Sequence, residues 1–251
     1  MKFGLIGHPI EHSLSPALFK AGYDGRYSYD LIHTADFEEA YARFLEEYDG
    51  INVTAPFKEL ALKKADILSE ECQAIGATNL LVKTPEGIKA YNSDYRGLRL
   101  WIEEISRNYK KPAILIVGLG GAGKAAAEAA RSLGCEATLM NRTQYTDDIK
   151  PLSEFKKAFK AADIIIYNLP VRLPELDHLG PENFIEGKPK HILEANYRNP
   201  SFDNKLILKL KEIHPTVEYT GGQTWLLLQA LSGYEIFTGE KPDLEKMTAR
   251  L

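Results

Sequence analysis

The 251-residue chain predicts an α/β fold in two domains, the second of them a doubly wound parallel sheet. Three observations predict it. Strand-like and helix-like periodicities alternate from end to end. After Lys110-Lys111-Pro112 come three short apolar runs, 113–117, 164–167 and 191–195, of the kind buried on both faces of a parallel sheet. The first of these runs leads straight into a glycine-rich turn at 118–123.

The elements follow in order. Residues 3–7 read as a short apolar strand. Ser15-Pro16 reads as N-cap and first residue of a helix that runs to about Gly25. Residues 27–33 alternate as a strand. Asp36 caps an amphipathic helix with Phe37, Ala40, Tyr41, Phe44 and Leu45 on one face. Residues 50–54 form a strand, and Pro56-Phe57-Lys58 opens another helix. Residues 79–91 read as a hairpin turning at Pro85-Glu86-Gly87. Asp94 caps a helix to about Asn108. Beyond the Lys110–Pro112 boundary, a helix at 124–133 and a strand at 136–140 follow the glycine turn. A final helix at 225–237 is apolar on most faces and is expected to be largely buried.

Composition excludes several classes. Hydrophobic residues make up 44% and charged residues 26%, ordinary for a globular chain of this length. Lysine and arginine number 31 against 35 acidic residues, and no block of five like charges occurs. That argues against nucleic acid or an anionic membrane as partner. The opening MKFGLIGHPIEH holds an apolar run of only four residues, and no later run approaches a membrane span. The two cysteines, Cys72 and Cys135, lie far apart and outside any metal-ligand spacing, so no metal site is expected. The cytoplasm is the simplest compartment, and the sequons at Asn52 and Asn141 are then chance matches.

The glycine turn carries the first chemical signal. Gly118, Gly120 and Gly123 match G-x-G-x-x-G, with Gly121 and Ala122 between them, directly after a strand and before a helix. Gly118 permits the tight turn, Gly120 admits a pyrophosphate to the backbone, and Gly123 lets helix pack on strand. The helix N-terminus then offers its unpaired N–H groups to phosphate. These features point to a Rossmann-type dinucleotide site. A structural turn is the bland alternative, and the strand before and helix after weigh against it. The end of the next strand chooses the cofactor. A site for NAD places a carboxylate there for the ribose diol, whereas this chain has Asn141-Arg142-Thr143. Arg142, 19 residues after Gly123, suits a 2′-phosphate, so NADP(H) is the expected cofactor.

Three polar clusters occupy the first domain. Ser13 and Ser15, in a loop before a helix, present two hydroxyls suited to a carboxylate; an ordinary cap explains Ser15 but leaves Ser13 unexplained. The second cluster is Asn52, Thr54 and Lys58. The third is Asn79 with Asn92-Ser93-Asp94. Lys58 alone reads as a solvated charge, and Asp94 alone as a helix cap.

Together these stretches resemble the shikimate dehydrogenase family. The matching segments are GLIGHPIEHSLSP (4–16), INVTAPFK (51–58), AIGATNLLV (74–82), NSDYRG (92–97), VGLGGAGKA (117–125), NRT (141–143) and the region of Gln229, in the family's order. The resemblance implies reversible reduction of 3-dehydroshikimate to shikimate by NADPH. It implies that Ser13 and Ser15 hold the carboxylate and that Asn52, Thr54, Asn79, Asp94 and Gln229 bind ring hydroxyls. Lys58 then pairs with Asp94 at the reacting carbon, Tyr197 touches substrate and Gly222 lies near the nicotinamide. It further implies a substrate domain of 1–98 completed by 223–251, an NADP domain of 99–222, and a site in the cleft between them. The hinge is expected in the helix after Asp94 and at 221–223. A monomer or homodimer is expected.

Departures from the family pattern fall on the cofactor side. Tyr167-Asn168-Leu169-Pro170 stands where the family has Asn-Ala-Thr-Pro. Trp225 replaces a methionine, Glu194 replaces an aspartate, and the loop after Arg142 is short. Three other readings remain open. One is a quinate-utilising relative, against which Arg142 argues. Another is a non-catalytic ligand-binding homologue, against which retention of both Lys58 and Asp94 argues. The last is a dinucleotide-sensing repressor, for which no basic recognition helix is present.

Overall fold

In the computed structural model, which describes residues 1–107 and 109–251, the first strand runs Lys2–Gly7 (β1). There follow α1 (Ser15–Gly22), β2 (Ser28–His33), α2 (Phe37–Glu47), β3 (Gly50–Val53), α3 (Lys58–Lys63), β4 (Ile67–Leu68), α4 (Glu70–Ile75), β5 (Leu80–Thr84) and β6 (Gly87–Tyr91). These strands form one sheet in the order β2-β1-β3-β5-β6-β4. β1 is parallel to β2 and β3, while β3–β5 and the β5–β6 hairpin are antiparallel.

Alternation along the strands sorts side chains onto two faces. On one face Ile6, Ile32, Ile51 and Val53 pack with Phe37, Ala40, Tyr41 and Phe44 of α2. That is the apolar stripe expected of α2, and the Asp36 carboxylate accepts the N–H groups of Glu38 and Glu39 as the predicted cap. On the other face Phe3 stacks on Phe237 at 4.7 Å and packs on Phe19 at 5.4 Å. Each fully buried side chain of this size contributes roughly 1.5–3 kcal/mol to folding.

α5 (Ser93–Ser106) leads to the second sheet; its expected end near Asn108 lies outside the described residues. The elements that follow are β7 (Ala113–Val117), α6 (Gly121–Ser132), β8 (Glu136–Met140), β9 (Ile149–Lys150), α7 (Phe155–Ala161), β10 (Ile164–Tyr167), β11 (Lys190–Glu194), α8 (Asn204–Ile213), β12 (Val217–Thr220), α9 (Gly222–Thr238) and α10 (Leu244–Thr248). Their strands pair in the order β12-β11-β10-β7-β8-β9, all parallel. Counted from the first strand, that is the doubly wound order of a Rossmann fold, and the expected fold class is the observed one. Its core joins Leu115, Val117, Ile165, Tyr167 and Ile192 of the central strands to Phe155, Phe159, Leu206 and Leu210 of the helices.

The chain divides into two compact units, Met1–Gly97 with Leu227–Leu251, and Leu98–Leu226. The division falls inside α5 and α9. Lys110-Lys111-Pro112 instead marks the entry to β7. Two caps differ from expectation. Leu14, not Ser15, flanks α1, and Ser15 is its first helical residue. Asp94 likewise lies within the first turn of α5, where the Asn92 side chain accepts the Tyr95 N–H at 3.1 Å. Helix α1 also stops at Gly22, short of Gly25. Among the described residues no helix is long and apolar enough to cross a membrane.

Candidate active site

In the first unit, the loop after β1 carries the serine pair. Ser13 Oγ takes the Ser15 N–H at 3.3 Å and donates to Ser15 Oγ at 3.2 Å. Ser13 thus does the work of a cap for a helix whose flanking residue has no capping side chain. Ser15 is held from behind, since the buried Tyr234 hydroxyl donates to its carbonyl at 3.0 Å.

Asn52 lies on β3, one strand from β1, and Asn79 immediately precedes β5. The Asn52 amide donates to the Asn79 carbonyl at 3.3 Å. Asn79 turns its own amide to Ser93: Oδ1 accepts the Ser93 N–H at 2.7 Å, and Nδ2 donates to Ser93 Oγ at 3.0 Å. Ser93 Oγ then donates to Gln229 Oε1 at 3.2 Å. Asn52, Asn79 and Gln229 therefore belong to one hydrogen-bonded line. Gly97 permits it, because a Cβ there would stand 2.9 Å from the Gln229 backbone nitrogen. Thr54 is half-buried just past β3, its N–H bound to the Ile6 carbonyl at 2.9 Å.

Lys58 opens α3 and Asp94 lies in the first turn of α5. Their side chains meet at 2.6 Å between Nζ and Oδ2, with 18% and 9% of their side-chain surface exposed. A charge-assisted bond of this length in a largely shielded place fixes the ammonium's position. Such an arrangement can bind a hydroxyl, stabilise negative charge on an oxygen and move a proton to or from it.

In the second unit, the glycine turn stands at the switch point between β7 and β10. Gly118 adopts φ +89°, a left-handed conformation that favours glycine. A Cβ on Gly123 would fall 1.9 Å from the Gly118 carbonyl oxygen, so this position admits only glycine. Gly120 differs: a Cβ there would meet nothing within 4 Å. Among the described residues no packing requires that glycine, whereas a phosphate approaching the backbone would. Gly120 is also the N-cap of α6 and supplies no side-chain cap, which leaves the first-turn N–H groups at Gly121, Ala122 and Gly123 for an anion.

Beyond β8, Asn141 Oδ1 accepts the Leu119 N–H at 3.3 Å, and its Nδ2 donates to the Thr143 carbonyl at 3.0 Å. One side chain thereby ties the glycine turn to the Arg142 loop. Arg142 and Thr143 are exposed. The residues here fit a phosphorylated dinucleotide: a cradle open at Gly120, a helix N-terminus and an exposed guanidinium.

Tyr197 follows β11. The buried Glu194 organises its loop by accepting the N–H groups of Ser201 at 2.5 Å and Phe202 at 3.2 Å, and the Tyr219 hydroxyl at 2.9 Å. Burial and that carboxylate together raise the Tyr219 phenol above its ordinary value. Gly222 lies against this loop, where a Cβ would come 2.7 Å from the Tyr197 nitrogen. Leu169 crowds Gly118, and Trp225 is buried. Sequence reasoning named Ser93 only as a member of a polar cluster, without its place between Asn79 and Gln229, and missed Tyr29. Tyr29 donates to Asn52 Oδ1 at 2.7 Å from β2, a strand that pairs with β1 and not with β3.

Residues 5–81 match the family described as the shikimate dehydrogenase substrate binding domain. Residues 78–193 match the NAD binding domain of D-isomer specific 2-hydroxyacid dehydrogenases. The chain is similar to the shikimate dehydrogenase (NADP(+)) of Pyrococcus furiosus, with 31% identity over 98% of this chain and 93% of that one. It is 30% identical to the protein of the same name from Ignicoccus hospitalis, over 100% of this chain and 98% of that one. Among solved structures it resembles shikimate 5-dehydrogenase from Thermus thermophilus in complex with NADP(H) and shikimate. The TM-score is 0.79 at 27% identity, over 100% of this chain and 98% of that chain.

Proposed function

The chain belongs to the shikimate dehydrogenase family, and from that premise we propose that it interconverts 3-dehydroshikimate and shikimate with NADP(H). The observation that carries the proposal is the shielded Lys58–Asp94 pair at 2.6 Å, beside the Asn79–Ser93–Gln229 line. The first unit takes the hydroxy acid and the second takes the dinucleotide. Two free cysteines suit a reducing cytoplasm.

When bound, NADPH supplies the hydride. The chain's own residues do the rest. Ser13 and Ser15 hold the carboxylate at the mouth of α1. Asn52, Thr54, Asn79 and Gln229 bind ring hydroxyls and set the ring's orientation. As a ketone is reduced, negative charge gathers on its oxygen. The Lys58 ammonium stabilises that charge and donates a proton to the oxygen. Asp94 holds Nζ in place and accepts from the same hydroxyl. In oxidation, a neutral Lys58 takes the hydroxyl proton. On the dinucleotide side, the first turn of α6 would bind pyrophosphate, Arg142 would bind the 2′-phosphate with Asn141 and Thr143, and Gly222, packed against the Tyr197 loop, would lie at the nicotinamide end. Tyr197, on the loop braced by Glu194, adds a contact to substrate.

The test is a side-by-side assay of shikimate and quinate with NADP and with NAD. Shikimate with NADP is expected to be the fastest pair. Turnover of quinate with NAD at a higher kcat/KM would move the chain to the quinate reading, and turnover of neither acid would refute both.

A further inference from the structure

We propose that Tyr29 is a positioning residue for substrate, acting through Asn52. The inference rests on the function proposed above. Strand register brings the two residues to one face. Phe3 on β1 pairs with Tyr29 on β2, and Leu5 on β1 pairs with Asn52 on β3. Residues 3 and 5 point the same way, so Tyr29 and Asn52 share their face with β1 between them. The phenol spans the intervening strand and delivers its hydroxyl to Asn52 Oδ1 at 2.7 Å. Its ring is packed by Phe19, with centroids 4.8 Å apart, and by Tyr234 at 5.9 Å.

What that hydrogen bond achieves follows from the rest of the Asn52 amide. Nδ2 donates to the Asn79 carbonyl, which also takes the Val53 N–H at 2.8 Å. Turning the amide over would set Oδ1 against that carbonyl, acceptor against acceptor. Oδ1 therefore faces Tyr29, which fills one of its two acceptor positions from inside the protein. The second Nδ2 proton is the donor that Asn52 has left for a ligand, so Asn52 meets a ring hydroxyl first as a donor. Without the phenolic O–H, a largely buried Oδ1 lacks its partner and competes for the ligand's own proton. Tyr29 also adjoins the serine pair. Burial raises its phenol well above the ordinary value, and the Ser15 hydroxyl partly opposes that rise. One tyrosine thus stands between the proposed carboxylate grip and the proposed hydroxyl grip.

The variant Tyr29→Phe keeps the ring packing and removes only the hydroxyl. Losing one such bond is expected to raise KM for shikimate about five- to tenfold with kcat within about twofold. KM for NADP should hold, and the thermal midpoint should fall by no more than a few degrees. In an Asn52→Ala background, adding Tyr29→Phe should change KM by less than about twofold, because the route through Asn52 is already gone. An unmoved KM in Tyr29→Phe, or a full multiplicative effect on top of Asn52→Ala, would overturn the proposal. A second measurement does without the phenylalanine variant. In protein labelled at tyrosine Cζ, Asn52→Ala should shift one of the 13 tyrosine resonances, that of Tyr29. No shift would count against the coupling. If the unaltered chain turned over shikimate while Tyr29→Phe was silent, this inference alone would fall. If the unaltered chain did not act on shikimate, the functional reading would fall with it.

Discussion

Lys58 Nζ lies 2.6 Å from Asp94 Oδ2, although 36 residues and two helix starts separate them. Asp94 can reach the lysine from inside the first turn of α5 because Asn92 supplies the cap. General acid–base assistance typically contributes about 10²–10⁴ in rate, so Lys58→Ala is expected to lower kcat by that range with a much smaller change in KM. Asp94→Asn keeps the shape and removes the charge, and should lower both kcat and affinity. Steady-state kinetics with shikimate and NADP check this. A kcat for Lys58→Ala within about tenfold of the parent would remove lysine as the main proton-transfer group.

The glycines of the turn should separate cleanly by substitution. Gly123→Ala drives a methyl into the Gly118 carbonyl, 1.9 Å away, and the backbone must move. Overpacking of that kind costs about 1–3 kcal/mol or more, and a lowered thermal midpoint is expected along with lost NADP binding. Gly120→Ala meets open space. Its stability should stay within about 0.5 kcal/mol of the parent while NADP affinity falls, because the methyl occupies the phosphate's approach. Calorimetric titration and thermal melts on both variants give the comparison. Equal loss of stability in the two would contradict it.

Arg142 is exposed at the end of β8, on a loop tied to the glycine turn by Asn141. A charge-assisted contact with phosphate contributes about 1.5–3 kcal/mol, or roughly ten- to a hundredfold in affinity. Arg142→Ala is expected to raise KM for NADP by that factor and to leave KM for NAD nearly unchanged. The NADP preference of the parent should also weaken as salt rises. Equal effects on the two cofactors would show that Arg142 does not read the 2′-phosphate.

Local chemistry made part of this legible. The sequence around β7, its turn and α6 carries its own strand, glycine spacing and helix, so the proposed cofactor cradle can be read residue by residue. The Asp36 cap was legible for the same reason. Asn92-Ser93-Asp94 was not, since three capping residue types stand in a row and only the fold selects Asn92. Edge strands β9 and β12 carry little signal in the sequence, because one has two residues and the other is only partly buried. In the sequence only the family resemblance pairs Lys58 with Asp94, because no spacing rule links α3 to α5. Tyr29 lay beyond both routes. Its partner is two strands away, and in sequence it is one aromatic residue of an alternating strand.

Lys190 offers a test by pH. It is buried on β11, its ammonium donating to the carbonyls of Phe159 at 2.7 Å and of Ala162, beside the Phe159 ring. Burial pushes its pKa down to about 8. An unfolded lysine titrates near 10.4, so between about 8 and 10.4 the unfolded chain holds a proton that the folded chain has released. Stability contributed by this site therefore rises with pH across that window. Below it both states are protonated, and the whole cost of burying the charge, on the order of 3 kcal/mol, is present. Lys190→Met removes the titrating group and keeps the apolar stem. Urea unfolding of parent and variant at pH 7 and pH 10 should show the parent gaining on the variant as pH rises. A difference that stayed flat would mean that the carbonyl oxygens hold the ammonium charged throughout.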